Sequence, residues 1–331
     1  MKPAVAAHNT LLGHWRRWAP VAVLLALCLL FTLFNANFLS LGNIMRLLSS
    51  ASIPLVLCMG ATFIILMGSI DLSIEGTVAV TAVLVSLLVA NDHTGIAIGL
   101  WSLPLAIIAG GLMGLVNGVL HVKLKTPSFM TTLGVGFAGV GVAMATLGGD
   151  TVRISDQVFR FLALGRLFAV GSFQGLPMAA VVAAVAVAVA YVIQERTRLG
   201  RWLYAIGTDE ATARHAGIPV ERTRIVIFAV AGLFYGLGGI LAAAQFGQGH
   251  ALISQGRLFT AITAVVVGGT ALSGGFGSVL NSVVGVMIVT VLGNGLVQMG
   301  VPPYLQQGVL GLLIIAAVAL ALDRSRLDVV K

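Results

Sequence analysis

Apolar residues occur along this chain in long blocks, separated by short polar islands. The blocks cover approximately 21–34, 51–69, 74–90, 95–120, 127–148, 176–194, 225–245, 258–272, 279–298 and 305–322. A block of about 20 apolar residues suits a helix crossing a hydrocarbon core ~30 Å thick, where only a helix or closed barrel satisfies its own backbone. The pattern therefore predicts an all-α membrane protein with about ten transmembrane helices. Several blocks fall short of full length, so some crossings are expected as broken or partly buried helices.

Composition agrees with the pattern. Hydrophobic residues make up 58% of the 331 residues and charged residues 9%, with a mean hydropathy of +1.04. A water-soluble globule of this size cannot hide so much apolar surface. The net charge of +8 would suggest nucleic acid in a soluble protein. Here the position of the charges explains it instead. With ten crossings and an inner N-terminus, Lys2, Arg16, Arg17, Lys123, Lys125, the six arginines of 195–224, Arg324, Arg326 and Lys331 fall on the cytoplasmic side. Only Arg46, Arg153, Arg160, Arg166 and Arg257 fall outside. Both termini are then cytoplasmic: a segment 1–19, one transmembrane domain 20–322 and a tail 323–331. His14-Trp-Arg-Arg-Trp18 before the first block is like a signal peptide, but no A-x-A site follows, and an uncleaved first span is expected. Cys28 and Cys58 lie in apolar runs, so no disulfide is expected. The six histidines are scattered, which gives no metal site. No Gly-Lys dipeptide occurs, which excludes a P-loop: if ATP drives this protein, another chain binds ATP and its magnesium.

The polar islands hold the candidate chemistry. The longest, 195–224, contains Asp209-Glu210-Ala-Thr-Ala-Arg-His-Ala-Gly217, with the grammar of a short helix. Thr208 or Asp209 caps it, Glu210 lies in its first turn, and Gly217 closes it before Ile218-Pro219. Such a helix between arginines is a docking element for a soluble partner or a plain solvated connector. The island Met67 to Gly76 carries Asp71, Ser73 and Glu75. A carboxylate at bilayer depth costs several kcal/mol unless paired or solvated, so Asp71 either serves the translocation pathway or caps the next span with Ser73. Val267 to Gly277 holds five glycines in eleven residues, backbone that cannot stay helical. Gly110, Gly114 and Gly118, with Gly232 and Gly236, recur at spacing four and predict close helix packing. Gly134-x-Gly136-x-x-Gly139 lies inside an apolar span without a preceding strand, and is read as packing too. The remaining buried polar residues are neutral: Thr62, Asn117, Thr131, Thr132, Asn281, Asn294 and Gln298. They suit an uncharged, hydroxyl-rich solute or ordinary interhelical hydrogen bonding, and Asn117, Asn281 and Asn294 are pathway candidates beside Asp71 and Ser73. In the outer loop 149–175, Arg153, Arg160 and Arg166 are candidates to meet acidic residues of a partner, with Phe159, Phe161, Phe168 and Phe173 at the membrane interface.

Five ordered segments carry a resemblance. Ser69 to Ser73, Thr126 to Gly134, Thr197 to Gly207, Glu210 to Gly217 and Val267 to Gly277 closely resemble ribose-type monosaccharide permeases of bacterial ABC importers, in order along residues 20–322. Membership implies a multi-pass inner-membrane subunit embedded in lipid, with a fold similar to the vitamin B12 importer permease. It implies an ABC ATPase subunit, a periplasmic sugar-binding protein, and a second permease copy or a paralogue. The family's coupling motif falls on Glu210, Ala211, Ala213 and Gly217, within an element that also includes Asp209 and Arg214. The family commonly has glycine where Ser69 and Glu75 stand. The alternative is a stand-alone channel or facilitator for small neutral solutes. A membrane enzyme has no nucleophile and base pair to support it.

Overall fold

The computed structural model describes residues 4–169 and 175–321. Lys2, Phe173 and the expected tail 323–331 with Arg324, Arg326 and Lys331 lie outside the described residues. The described chain is almost wholly helical. Its helices are α1 (Ala4–Phe34), α2 (Leu41–Leu66), α3 (Ile74–Leu88), α4 (Ser102–Leu124), α5 (Ser128–Leu147), α6 (Gln157–Leu164), α7 (Met178–Arg196), α8 (Arg198–Thr208), α9 (Glu210–His215), α10 (Val220–Phe246), α11 (Arg257–Val267), α12 (Val279–Gln298) and α13 (Pro303–Ala321). Six of them, α2, α4 with its leading 3-10 turn, α5, α7, α10 and α12, are long and apolar enough to cross a membrane. Trp18–Phe34, α3 and α11 are shorter apolar helices.

The α2 helix begins ten residues before the apolar block at 51. Ser40 caps it, its hydroxyl accepting from the Asn43 N–H at 3.4 Å, and the polar residues Asn43, Arg46, Ser49 and Ser50 disguise its first turns. At its other end stands the irregular stretch 67–73, where Gly68 adopts a φ of 75°.

Helix α10 is the centre of the core, buried against α2, α3 and α4. The spaced glycines explain the α4 contact: a Cβ on Gly110 would collide with the Gly232 carbonyl, and one on Gly232 with that of Gly110. Gly114 likewise lies on the Phe228 backbone. Two helix axes approach this closely only where side chains are absent, which maximises dispersion contact in lipid. Gly136 and Gly139 face α3 around Gly76, whereas Gly134 touches nothing, so that trio is packing.

Helix α11 is a short apolar helix that starts partway along the bundle. After α10, Gly249 packs on Ser86 and Ala82 near the end of α3. Seven residues later, the Gly256 N–H donates to Glu75 Oε1 at 2.8 Å, and the Leu258 N–H to the same oxygen at 3.3 Å. The Ser254 hydroxyl donates to the Glu75 carbonyl at 2.8 Å. The chain has thus descended alongside α3 by about 16 Å, at 1.5 Å per helical residue, before α11 starts. Glu75 satisfies the exposed N–H groups at that start, which gives the carboxylate a use. The helix then ends at Val267 rather than 272, because Gly269 has a φ of 97°.

The opposite ends of the helices carry short strands. β1 (Val152–Arg153) pairs antiparallel with β4 (Gln248–Gly249), and β2 (Arg166–Leu167) with β3 (Leu176–Pro177). Between them, α6 is amphipathic and seats Phe159 in the main core.

Candidate functional site

The polar island 195–224 folds as two helices. Sequence reasoning found α9 but missed α8, whose buried Gly200, Leu203 and Ile206 alternate with polar residues at helical spacing. Thr197 starts α8, its hydroxyl accepting from the Gly200 N–H at 3.3 Å. Between Thr208 and Asp209, the aspartate is the cap of α9. Its Oδ1 accepts from the Ala211 and Thr212 N–H groups at 2.9 and 3.2 Å, and its Oδ2 from the Thr212 hydroxyl at 2.6 Å. Those hydrogen bonds hold the Asp209 carboxyl below its ordinary value. Gly217 closes the helix with a φ of 80°, and nothing stands where its Cβ would be, so conformation rather than space requires glycine. Within α9 only Ala213 is buried; Ala211, Thr212, Arg214 and His215 face solvent.

Polar and close-packed contacts fasten this element to the bundle on two sides. Glu210 Oε1 accepts from Arg214 at 3.0 Å, and Oε2 from Arg224 of α10 at 2.6 Å. Burial pushes the Glu210 carboxyl up, but the two arginines outweigh it and hold the group below its ordinary value. Partial exposure limits such a pair to ~0.2–1 kcal/mol, so it orients α9 more than it stabilises the fold. On the other side, the Tyr204 hydroxyl donates to the Gly277 carbonyl at 2.7 Å. Burial, with the nearby Glu195 carboxylate, pushes that hydroxyl up to about 12, so it stays a neutral donor. Gly207 lies on the Leu66 carbonyl and the Gly275 N–H, while Gly275 itself donates to the Leu66 carbonyl at 2.9 Å. Gln194, at the end of α7, accepts from the Val279 N–H at 2.6 Å and so caps α12 beyond Ser278. The glycine-rich loop after α11 is therefore clasped between α8 and the end of α2.

The candidates Asp71, Ser73 and Asn117 come together in one buried network. Asp71 Oδ1 accepts from the Ser73 N–H at 2.8 Å and the Ser73 hydroxyl at 2.6 Å. Asn117 of α4 donates to that hydroxyl at 2.7 Å. Ser73 occupies the cap position of α3, yet its side chain makes no capping bond to the helix. The stretch is also pinned to α5: Ser128 accepts from the Ile70 N–H at 3.0 Å, and Thr132 from the Leu72 N–H at 2.9 Å. Asp71 Oδ2 and the fully buried Tyr235 hydroxyl of α10 lie beside one another, and among the described residues neither has any other partner. Gly60 leaves room for the Tyr235 ring, since a Cβ there would strike it. Asp71 also lines a cavity of about 130 Å³, enough to hold water. Tyr235 was missed because a single tyrosine in an apolar block carries no signal of its own.

The other candidates lie apart. Asn281 is half-buried in the first turn of α12, its N–H donating to Ser278 at 3.1 Å. Asn294 accepts from Gln298 at 2.9 Å and Asn43 at 3.1 Å, and Gln298 accepts from Asn35 at 2.9 Å. That ladder ties the turn after α1 to α12. Among the outer-loop arginines, Arg153 and Arg166 are exposed, while Arg160 turns back over Gly247. Phe161 and Phe168 are exposed as expected of interfacial residues; Phe159 instead fills the core.

A bundle of apolar helices with a solvent-facing helical segment and a buried polar junction is the frame of a multi-pass membrane protein. A family described as branched-chain amino acid transport system, permease component, matches residues 43–318, and the chain belongs to it. The chain is 36% identical over 308 residues to the probable ABC transporter permease protein YphD of Escherichia coli, covering 90% of this chain and 88% of that protein. It is 31% identical over 318 residues to the ribose import permease protein RbsC of Bacillus subtilis, covering 95% and 94%. It is 32% identical over 309 residues to the galactose/methyl galactoside import permease protein MglC of Escherichia coli, covering 90% and 91%. No solved structure matches the chain.

Proposed function

We propose that this chain is the inner-membrane permease subunit of an ABC importer for a neutral monosaccharide, ribose-like or hexose-like, and that α9 is where a separate ATPase drives it. The observation that carries the reading is the capped helix α9, which offers Ala211, Thr212 and His215 to solvent while Glu210 grips α10 and Tyr204 grips the glycine-rich loop. A stand-alone facilitator has no use for a displayed helix bolted to moving parts. In this reading the chain crosses ten times: α11, with the turns before it, and the short α3 complete two crossings that no single helix spans. Both ends are cytoplasmic, the fold is like that of the vitamin B12 importer permease, and two copies enclose the path. Exposed Arg153 and Arg166 belong to the face that receives a periplasmic binding protein.

Closure of the ATPase on ATP displaces α9, and rigid contacts carry the shift two ways. Through α8 it reaches the loop 268–277 and the end of α2. Through Arg224 it reaches α10, which bears Tyr235 against the Asp71 network. The bundle is then a two-state device whose inward and outward forms are biased by its partners. The neutral amides and hydroxyls near the path, and the sugars in the names of the relatives, support a solute without charge. Co-purification from membranes tests the coupling role: an ATPase should accompany the wild-type chain and be lost with Glu210→Lys, while the permease level holds. An ATPase retained at the wild-type ratio would sink the assignment of α9.

A further inference from the structure

Between α2, α11, α12 and α13 lies a cleft of about 630 Å³, within the ~300–1,000 Å³ range of small-molecule sites. Pro54 and Val289, half-way along α2 and α12, form part of its wall, and the first turns of α11 form another. It therefore sits at mid-depth, beside a helix that begins inside the bundle. Discontinuous helices at the midplane are where transporters build solute sites.

The chemistry of this cleft selects the solute. An open helix start attracts anions, but here Glu75 already accepts from the Gly256 and Leu258 N–H groups. Arg257 also lines the cleft, its guanidinium over the Phe246 ring at 5.7 Å from the centroid, where it remains a donor to a solute hydroxyl. Among the described residues no acid lines the cleft, so an ammonium group finds no counter-charge. Gln255 and Gln307 bring exposed amides, Thr260 brings a hydroxyl, and Phe259 brings an exposed ring. Amides donate and accept as sugar hydroxyls require, and an aromatic face suits the apolar face of a sugar ring.

We propose that this cleft is the transport site and binds one monosaccharide, stacked on Phe259 and hydrogen-bonded by Gln255, Thr260 and Gln307. The proposal rests on the reading of the chain as a neutral-sugar importer. It is tested in membrane vesicles holding the whole transporter, in a Cys28→Ser background, with Thr260→Cys or Gln307→Cys and a water-soluble, impermeant methanethiosulfonate. Labelled pentoses and hexoses first identify the sugar that the vesicles accumulate. Both cysteines should react, and that sugar should slow the reaction about fivefold or more at several times its dissociation constant, whereas L-leucine should not. Cysteines that stay inert, as under a lipid chain, overturn the site. So does a rate unmoved by the sugar. If sugar uptake by the unmodified variants persists in those cases, only the site is lost. Vesicles that accumulate leucine and no sugar would overturn the importer reading itself.

Discussion

Two carboxylates, Glu210 and Asp71, are each held by two close donors, yet their surroundings are opposite. Glu210 stands at the water-facing element, with both oxygens taken by arginines. Asp71 is enclosed, has one oxygen held by Ser73, and turns the other toward the Tyr235 hydroxyl and a cavity with room for water. The exposed group is satisfied by two arginines. The buried group sits at the meeting of α2, α4, α5 and α10, where a polar atom is costly unless a hydroxyl or a water meets it. In the proposed mechanism, motion applied at the first arrives at the second.

The sharpest way to break this contrast is Asp71→Asn. The amide keeps the shape and can keep both Ser73 bonds on its one oxygen, but it removes the charge that strengthens them, from about 1.5–3 kcal/mol to about 0.5–1.5 kcal/mol each. Solute uptake should fall by one to two orders of magnitude with membrane abundance nearly unchanged; a protein lost from the membrane would reduce Asp71 to a packing group. Next in size is Glu210→Lys, which faces Arg214 and Arg224 with a like charge. Uptake should drop roughly tenfold, as coupling losses of 1–3 kcal/mol do, while thermal unfolding in detergent barely moves. Asp209→Ala removes the cap alone, and amide exchange at Thr212 and Ala213 should quicken several-fold with uptake reduced only slightly.

The smallest effect is one of pH. The Glu210 carboxyl is lowered in the folded state, so its contribution is present above the ordinary glutamate value and fades as pH falls through the depressed one. Exchange protection at the α9–α10 junction should therefore be flat near neutrality and decline in acid. Glu210→Gln should remove that decline, and an unchanged acid profile in this variant would show that other groups titrate there.

The helical crossings and α9 were legible because composition and local grammar act within a few residues. The apolar blocks located the spans, Asp209 and Gly217 bounded α9, and glycines at spacing four predicted close helix packing, though not that α4 and α10 would be the partners. What was hidden depends on partners distant in sequence. Glu75 looked like an unexplained charge until α11 was placed against it, and Tyr235 gains its meaning only from Asp71 in another element. For Asn294 the sequence leaves the pathway and interhelical hydrogen bonding both open, and its bonds to Asn43 and Gln298 show what it fastens in this structure. A polar residue in a span announces that it has a partner but not which one.

The central claim is that energy enters through α9 from another chain. Its most direct measurement is sugar accumulation in proteoliposomes containing this permease, the ATPase that co-purifies with it and the cognate binding protein, with and without ATP. The account predicts accumulation only with ATP and all three components, and roughly tenfold slower accumulation when the permease carries Glu210→Lys. Accumulation by the permease alone, or by the Glu210→Lys assembly at the wild-type rate, would contradict it.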